Sequence, residues 1–176
     1  MSFFSKLFDL FKPKIIAANP GVARSSRADL HAAILALNSE DKPWVVTQGG
    51  PEKADLVAEW KMTDREWGNV FRDVKMKQTV QILIKFDAAA GEVRSVDLTR
   101  TVKSEFGQGG FSYDNKTSRG QSMVMHFGAG GGTEMTNPVT GGVVRYSFVI
   151  DEVKKPLQDV ITAHGWAWRG LVSGVL

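Results

Sequence analysis

The chain has 176 residues, 43% hydrophobic and 23% charged, with a net charge of +3 and no cysteine. That is enough for one domain with a filled core and short for two. It excludes wholesale disorder, disulfides, thiolate metal sites and cysteine nucleophiles. The 22 basic and 19 acidic side chains are interspersed, so the charge does not describe a nucleic-acid surface, where basic residues gather on one face.

Residues 1–14 are expected to form an amphipathic helix. At about 100° per residue, Phe3, Phe4, Leu7, Phe8, Leu10 and Phe11 share one side, opposite Ser2, Ser5, Lys6, Asp9 and Lys12. Pro13 stops the helix, because it lacks an amide proton and disfavours helical geometry in the residue before it. Each buried aromatic is worth about 1.5–3 kcal/mol, so the docking face of Phe3, Phe4, Leu7, Phe8 and Phe11 calls for cover. Three covers are open: the chain's own domain or a second protomer, a protein partner's groove, or a membrane surface helped by Lys6, Lys12 and Lys14. Lys6 and Asp9 interrupt the apolar run, and a secretory signal needs an unbroken stretch of about 7–15 residues. No run reaches the roughly 18–20 apolar residues of a membrane span. A cytoplasmic location follows as the expectation, with peripheral contact at the inner membrane face left open by the leader.

Residues 15–25, with Asn19, Pro20 and Gly21, read as a linker, and 26–176 as one α+β domain. Ser26 is a good N-cap for a helix over 27–38, with Asp29 as the capping acid. Leu30, Ala33, Ile34 and Leu37 make its buried stripe. The period then changes to two. Strands are expected at 44–48, 54–62 (Leu56, Ala58, Trp60 and Met62 on one face) and 78–87 (Val80, Ile82, Ile84 and Phe86). The turn Ala88-Ala89-Ala90-Gly91 returns the chain into a strand over 92–103, with Val96, Leu98 and Val102 on one face. Val93 is out of phase with that set, which points to a bulge near Ser95. Further strands are expected at 121–127 and 143–150. A helix starting near Pro156 buries Leu157, Val160 and Ile161 and is capped by Gly165. The closing residues 166–172 alternate as an edge strand. No βαβ alternation is visible, so the expected architecture is a curved antiparallel sheet of about six strands, two packed helices and the N-terminal amphipathic helix.

Ten of the 18 glycines lie between 104 and 142. No helix follows them and no Gly-Lys-Ser/Thr is present, so a phosphate cradle is not expected. They read as loops between strands, with Gly130 and Gly131 the candidate ligand contacts if the loops roof a pocket. His31, His126 and His164 lack metal-ligand spacing, so no metal and no cofactor are expected; His126 is the one histidine retained as a ligand contact. Asp64, Glu66, Asp87, Glu92 and Asp97 invite a general acid–base reading, but Asp87 and Glu92 flank a hairpin turn, where acids are ordinarily solvated. Trp166 and Trp168 share one face of the last strand. On the inner face they are core; on an outer or cavity-lining face they form a stacking surface for a ligand. Arg169 points the other way. These readings favour a non-catalytic binding or scaffold module that associates with a protein partner or with itself. The alternative is a carrier of a small lipid or metabolite, with its pocket beneath 104–142.

Overall fold

The computed structural model describes residues 14–104, 111–120, 133–172 and 176. The expected leader helix with its docking face Phe3, Phe4, Leu7, Phe8 and Phe11, the expected strand 121–127, His126, Gly130 and Gly131 therefore lie outside the described residues, Lys14 excepted.

Chain order runs β1 (Lys14–Ile16), α1 (Arg27–Leu35), β2 (Trp44–Gln48), β3 (Leu56–Trp60), α2 (Trp67–Asp73), β4 (Gln78–Asp87) and β5 (Glu92–Ser104). It continues with β6 (Phe111–Gly120), β7 (Thr133–Thr136), β8 (Val143–Tyr146), α3 (Asp151–Ala163) and β9 (Ala167–Gly170). Seven strands form one sheet in the order β1-β9-β5-β4-β3-β2, with β6 also beside β5; β7 and β8 form a separate two-stranded ribbon. Every pairing is antiparallel except that of β5 with β9. The expected mixture of helices with an antiparallel-dominated sheet is therefore present.

Alternation along the strands sorts the core into two layers. Leu56, Ala58, Trp60, Val80, Ile82, Ile84 and Phe86 face the helices and pack with Leu30, Ile34, Phe71, Leu157 and Ile161. Val57, Leu83, Val96 and Leu98 point to the other face and cluster with Ala54, against which Leu171 and Leu176 pack. The second layer explains why Val93 is out of phase with Val96: β5 is apolar on both sides, and Val93 belongs to the helix side. The β4–β5 ladder runs unbroken from Asp87–Glu92 to Gln78–Thr101, so there is no bulge near Ser95 in that pairing. The irregularity falls between Arg100 and Val102, against β6, and Val102 joins the helix-side cluster rather than sharing a face with Val96 and Leu98.

Several boundaries differ from those expected. Residues 15–25 are not a free linker. Ile15 and Ile16 pair with Arg169 and Trp168, and the segment is then bonded along α3, with Asn19 N donating to Thr162 O at 3.0 Å and Ser25 N to His164 O at 2.9 Å. The expected strand 143–150 ends at Tyr146, because Phe148 takes a left-handed φ of 47° and α3 starts at Asp151. Pro156 is thus inside α3, not at its start. Gly165 does end that helix at φ 74°; a Cβ there would lie 2.7 Å from Ala23 O. The last strand is no edge: β9 lies between β1 and β5.

Candidate functional site

An open cleft of about 500 Å³ is lined by Glu40, Lys61, Asp64, Glu66, Trp67, Pro138 and Val139. Three local features build it. The Asp64 carboxylate accepts the amides of Glu66 (2.9 Å) and Trp67 (3.0 Å) and so caps the start of α2. The Trp67 indole N–H then donates to Glu40 O at 3.0 Å, tying α2 to the loop after α1. The opposite wall is the turn of the β7–β8 ribbon. Asn137, which is buried, accepts the amides of Val139 and Thr140, and its Nδ2 donates to Asp41 O (2.9 Å) and to the Tyr146 hydroxyl (2.7 Å). Tyr146 packs edge-on to Trp67, with ring centroids 5.4 Å apart.

Charge in the cleft is mixed. Burial holds the Lys61 ammonium below its ordinary pKa, an effect partly offset by Asp64, Asp41 and Glu40. Its Nζ donates to Ser39 O (2.8 Å) and Glu40 O (3.2 Å). Burial likewise raises the Tyr146 phenol. The walls therefore combine carboxylates with the apolar surfaces of Pro138 and Val139, which suits docking of a polar group on an aliphatic stem. Above the cleft the ribbon exposes Val143 (74%), Val144 and Val139.

Of the residues expected to contact a ligand, the two described ones, Trp166 and Trp168, do not line this cleft. Trp166 and Trp168 are 2% and 0% exposed, within the helix-side core. Trp166 donates to Ser25 O at 3.1 Å and meets Phe86 edge-on. Arg169 does point the opposite way, with Nε 2.7 Å from Glu92 Oε2. Glu92 is not solvated as expected; it is buried between Arg94 and Arg169. Asp87 pairs with Arg94 at 2.6 Å, while Asp97 lies in the core against Lys154. Of the five acids that invite a general acid–base reading, Asp64 and Glu66 line this cleft, and Asp64 is spent on capping. His31 rests beside Phe86, and His164 Nδ1 lies 2.8 Å from Val160 O at the end of α3. Among the described residues no group of three or more His, Asp or Glu is placed to hold a metal ion, and no helix is long and apolar enough to cross a membrane.

The cleft's other wall was hidden from sequence reading because α2 was. The signal existed: Trp67, Val70, Phe71 and Val74 fall at i, i+3, i+4 and i+7. Glu40 and Val139, in turns far apart along the chain, carried none. Compared with known protein families, characterised proteins and solved structures, the chain matches none.

Proposed function

We propose that the chain is a non-catalytic binding module that docks on another protein surface, of a partner or of a second copy, through its apolar leader. The observation carrying this reading is β1. Lys14–Ile16 is hydrogen-bonded to β9 as an outer strand of the sheet, and Ile15, two residues after Pro13, is 54% exposed. The phenylalanine-rich sequence 3–11 thus leads into a sheet edge that already presents apolar surface. The exposed valines of the ribbon and the open cleft supply further contact surface of the same mixed character.

The test compares the full chain with a version lacking residues 1–13. We expect the full chain to associate, seen as a solution mass above the monomer's or as saturable binding to a partner, and the shortened chain to stay monomeric with an unchanged unfolding curve. Identical solution behaviour of the two forms removes the proposal. Leader-dependent sedimentation with liposomes, without protein association, transfers the leader to a membrane surface instead.

One observation favours a second reading, a carrier of a small lipid or metabolite. The helix-facing row of β5 turns polar after Val93, at Ser95, Asp97 and Thr99, all buried. Native mass spectrometry of protein purified without refolding would show a bound adduct if the chain is a carrier, and the bare chain mass if it is not.

A further inference from the structure

The helix side of the sheet is apolar along β3 and β4, but on β5 and β9 it holds polar groups of two kinds. The first is an ion pair: Lys154 Nζ of α3 lies 2.6 Å from Asp97 Oδ2, with side chains 6% and 0% exposed. The second is a pair of orphans. Ser95 Oγ and Trp168 Nε1 are buried, their residues 0% exposed, and neither has a hydrogen-bond partner in the protein.

The register brings the orphans together. In the parallel β5–β9 pairing, Val93 is opposite Trp168 and Ser95 opposite Gly170. Residues directly opposite share a face, so Ser95 and Trp168 are diagonal neighbours. At about 7–8 Å between such Cα atoms, an aromatic side chain reaches across. Beside Ser95 on that face β9 offers only Gly170, which has no side chain. An indole N–H can only donate, and a hydroxyl can both donate and accept. Two such groups on one face, each a costly orphan in a dry core, are satisfied together by one oxygen between them.

We infer that Ser95 Oγ and Trp168 Nε1 form an internal site for a small neutral oxygen ligand, either an ordered water or the hydroxyl or carbonyl end of a small molecule. The Trp168 N–H donates to that oxygen and the Ser95 hydroxyl completes its bonding. The neighbouring Asp97–Lys154 pair makes the surroundings polar enough to hold it. The site stands whether or not the chain is a carrier, since water alone can fill it.

The experiment is a double-mutant cycle with Ser95→Ala, which removes the polar atom and keeps the shape, and Trp168→Phe, which removes the polar atom together with part of the ring and so adds a packing cost of its own. If the oxygen is there, each change lowers the urea midpoint, on the order of 0.5 M, and the double variant loses clearly less than the sum, because both partners serve one ligand. If the two groups are orphans, Ser95→Ala raises the midpoint or leaves it unchanged, and the inference is overturned. Strictly additive losses overturn it too. Should Trp168→Phe fail to fold, a crystal structure of the unaltered protein decides: density within about 3.2 Å of both Ser95 Oγ and Trp168 Nε1 supports the site, and its absence overturns it. Native mass spectrometry separates the sources, with an adduct marking a small molecule and the bare mass marking water.

Discussion

At the scale of single residues, the most constrained point is the junction between β8 and α3. Phe148 is buried and holds a left-handed φ of 47°, a conformation that costs an L-residue roughly 1–2 kcal/mol. Its ring is held by Trp60, Phe71 and Tyr146. The backbone there is held by Glu152, whose carboxylate accepts the Ser147 amide at 2.8 Å and that of Phe148. Burial is the larger influence on Glu152 and raises its pKa above the ordinary 4.5; the two amides pull the other way. A carboxyl with a raised folded pKa binds its proton more tightly in the native state than in the unfolded one. Its ionisation therefore subtracts stability as pH rises through the window above 4.5. Glu152→Gln keeps the acceptor oxygen and removes the charge. We expect the variant to be more stable than the parent at pH 7, with the advantage shrinking as pH falls toward 4. Urea midpoints at pH 4, 5, 6 and 7 check this. A Gln variant less stable at neutral pH would mean that the charge on the two amides outweighs the desolvation.

At the scale of elements, the β7–β8 ribbon contrasts with the main sheet. A lone two-stranded sheet is marginal in water, and this one is fixed to the body largely by Asn137 and Tyr146. Asn137→Ala deletes two bonds inside the turn and two to Asp41 and Tyr146. At about 0.5–1.5 kcal/mol each, the loss is roughly 2–6 kcal/mol. It falls on the ribbon first, so amides over 134–146 are expected to exchange with solvent far faster, while those of β4 change only slightly. Uniform acceleration across both would show that the ribbon and the sheet unfold as one. The same contrast explains what could be read from the sequence. β2, β4 and β5 were legible because alternation, a glycine turn and β-branched residues agree over ranges such as Gln78–Asp87. β6 was not, since Ser112, Asp114, Asn115, Lys116, Thr117 and Ser118 give a polar run with no period; the adjoining long strand β5 recruits it by backbone pairing. The start of α3 is obscured in the sequence because Pro156 resembles a helix start, although Asp151 and Glu152, acids in a first turn, mark the true one. The cleft was largely illegible, because its walls come from turns that only the fold brings together.

At the scale of the whole molecule, the two ends of the described chain meet. Among the described residues β1 pairs with β9 alone, and β9 bonds to β5 in the interior of the sheet. β5 thus has one neighbour, β4, along most of its length and two on its other side: β9 over Glu92–Ser95 and β6 from Asp97 onward. Sequence alternation showed that residues 166–172 form a strand but could not show its place, since a parallel pairing reached through α3 leaves the same period as an edge pairing. The place has a consequence. The last strand and the residue before it carry two of the largest buried side chains, Trp168 and Trp166. Loss of a buried tryptophan costs about 3–5 kcal/mol, so losing both is comparable to the whole 5–15 kcal/mol of a typical domain. A chain ending at Gly165 would also leave β1 without a partner and the Glu92–Ser95 edge of β5 open to water. We expect that chain to keep helical circular dichroism but lose the cooperative thermal transition, in contrast to the form lacking residues 1–13, whose sheet is intact. A single sharp transition in the chain ending at Gly165 would mean that β9 is an addition to a sheet already stable without it, and that the fold is organised around β2 to β6 alone.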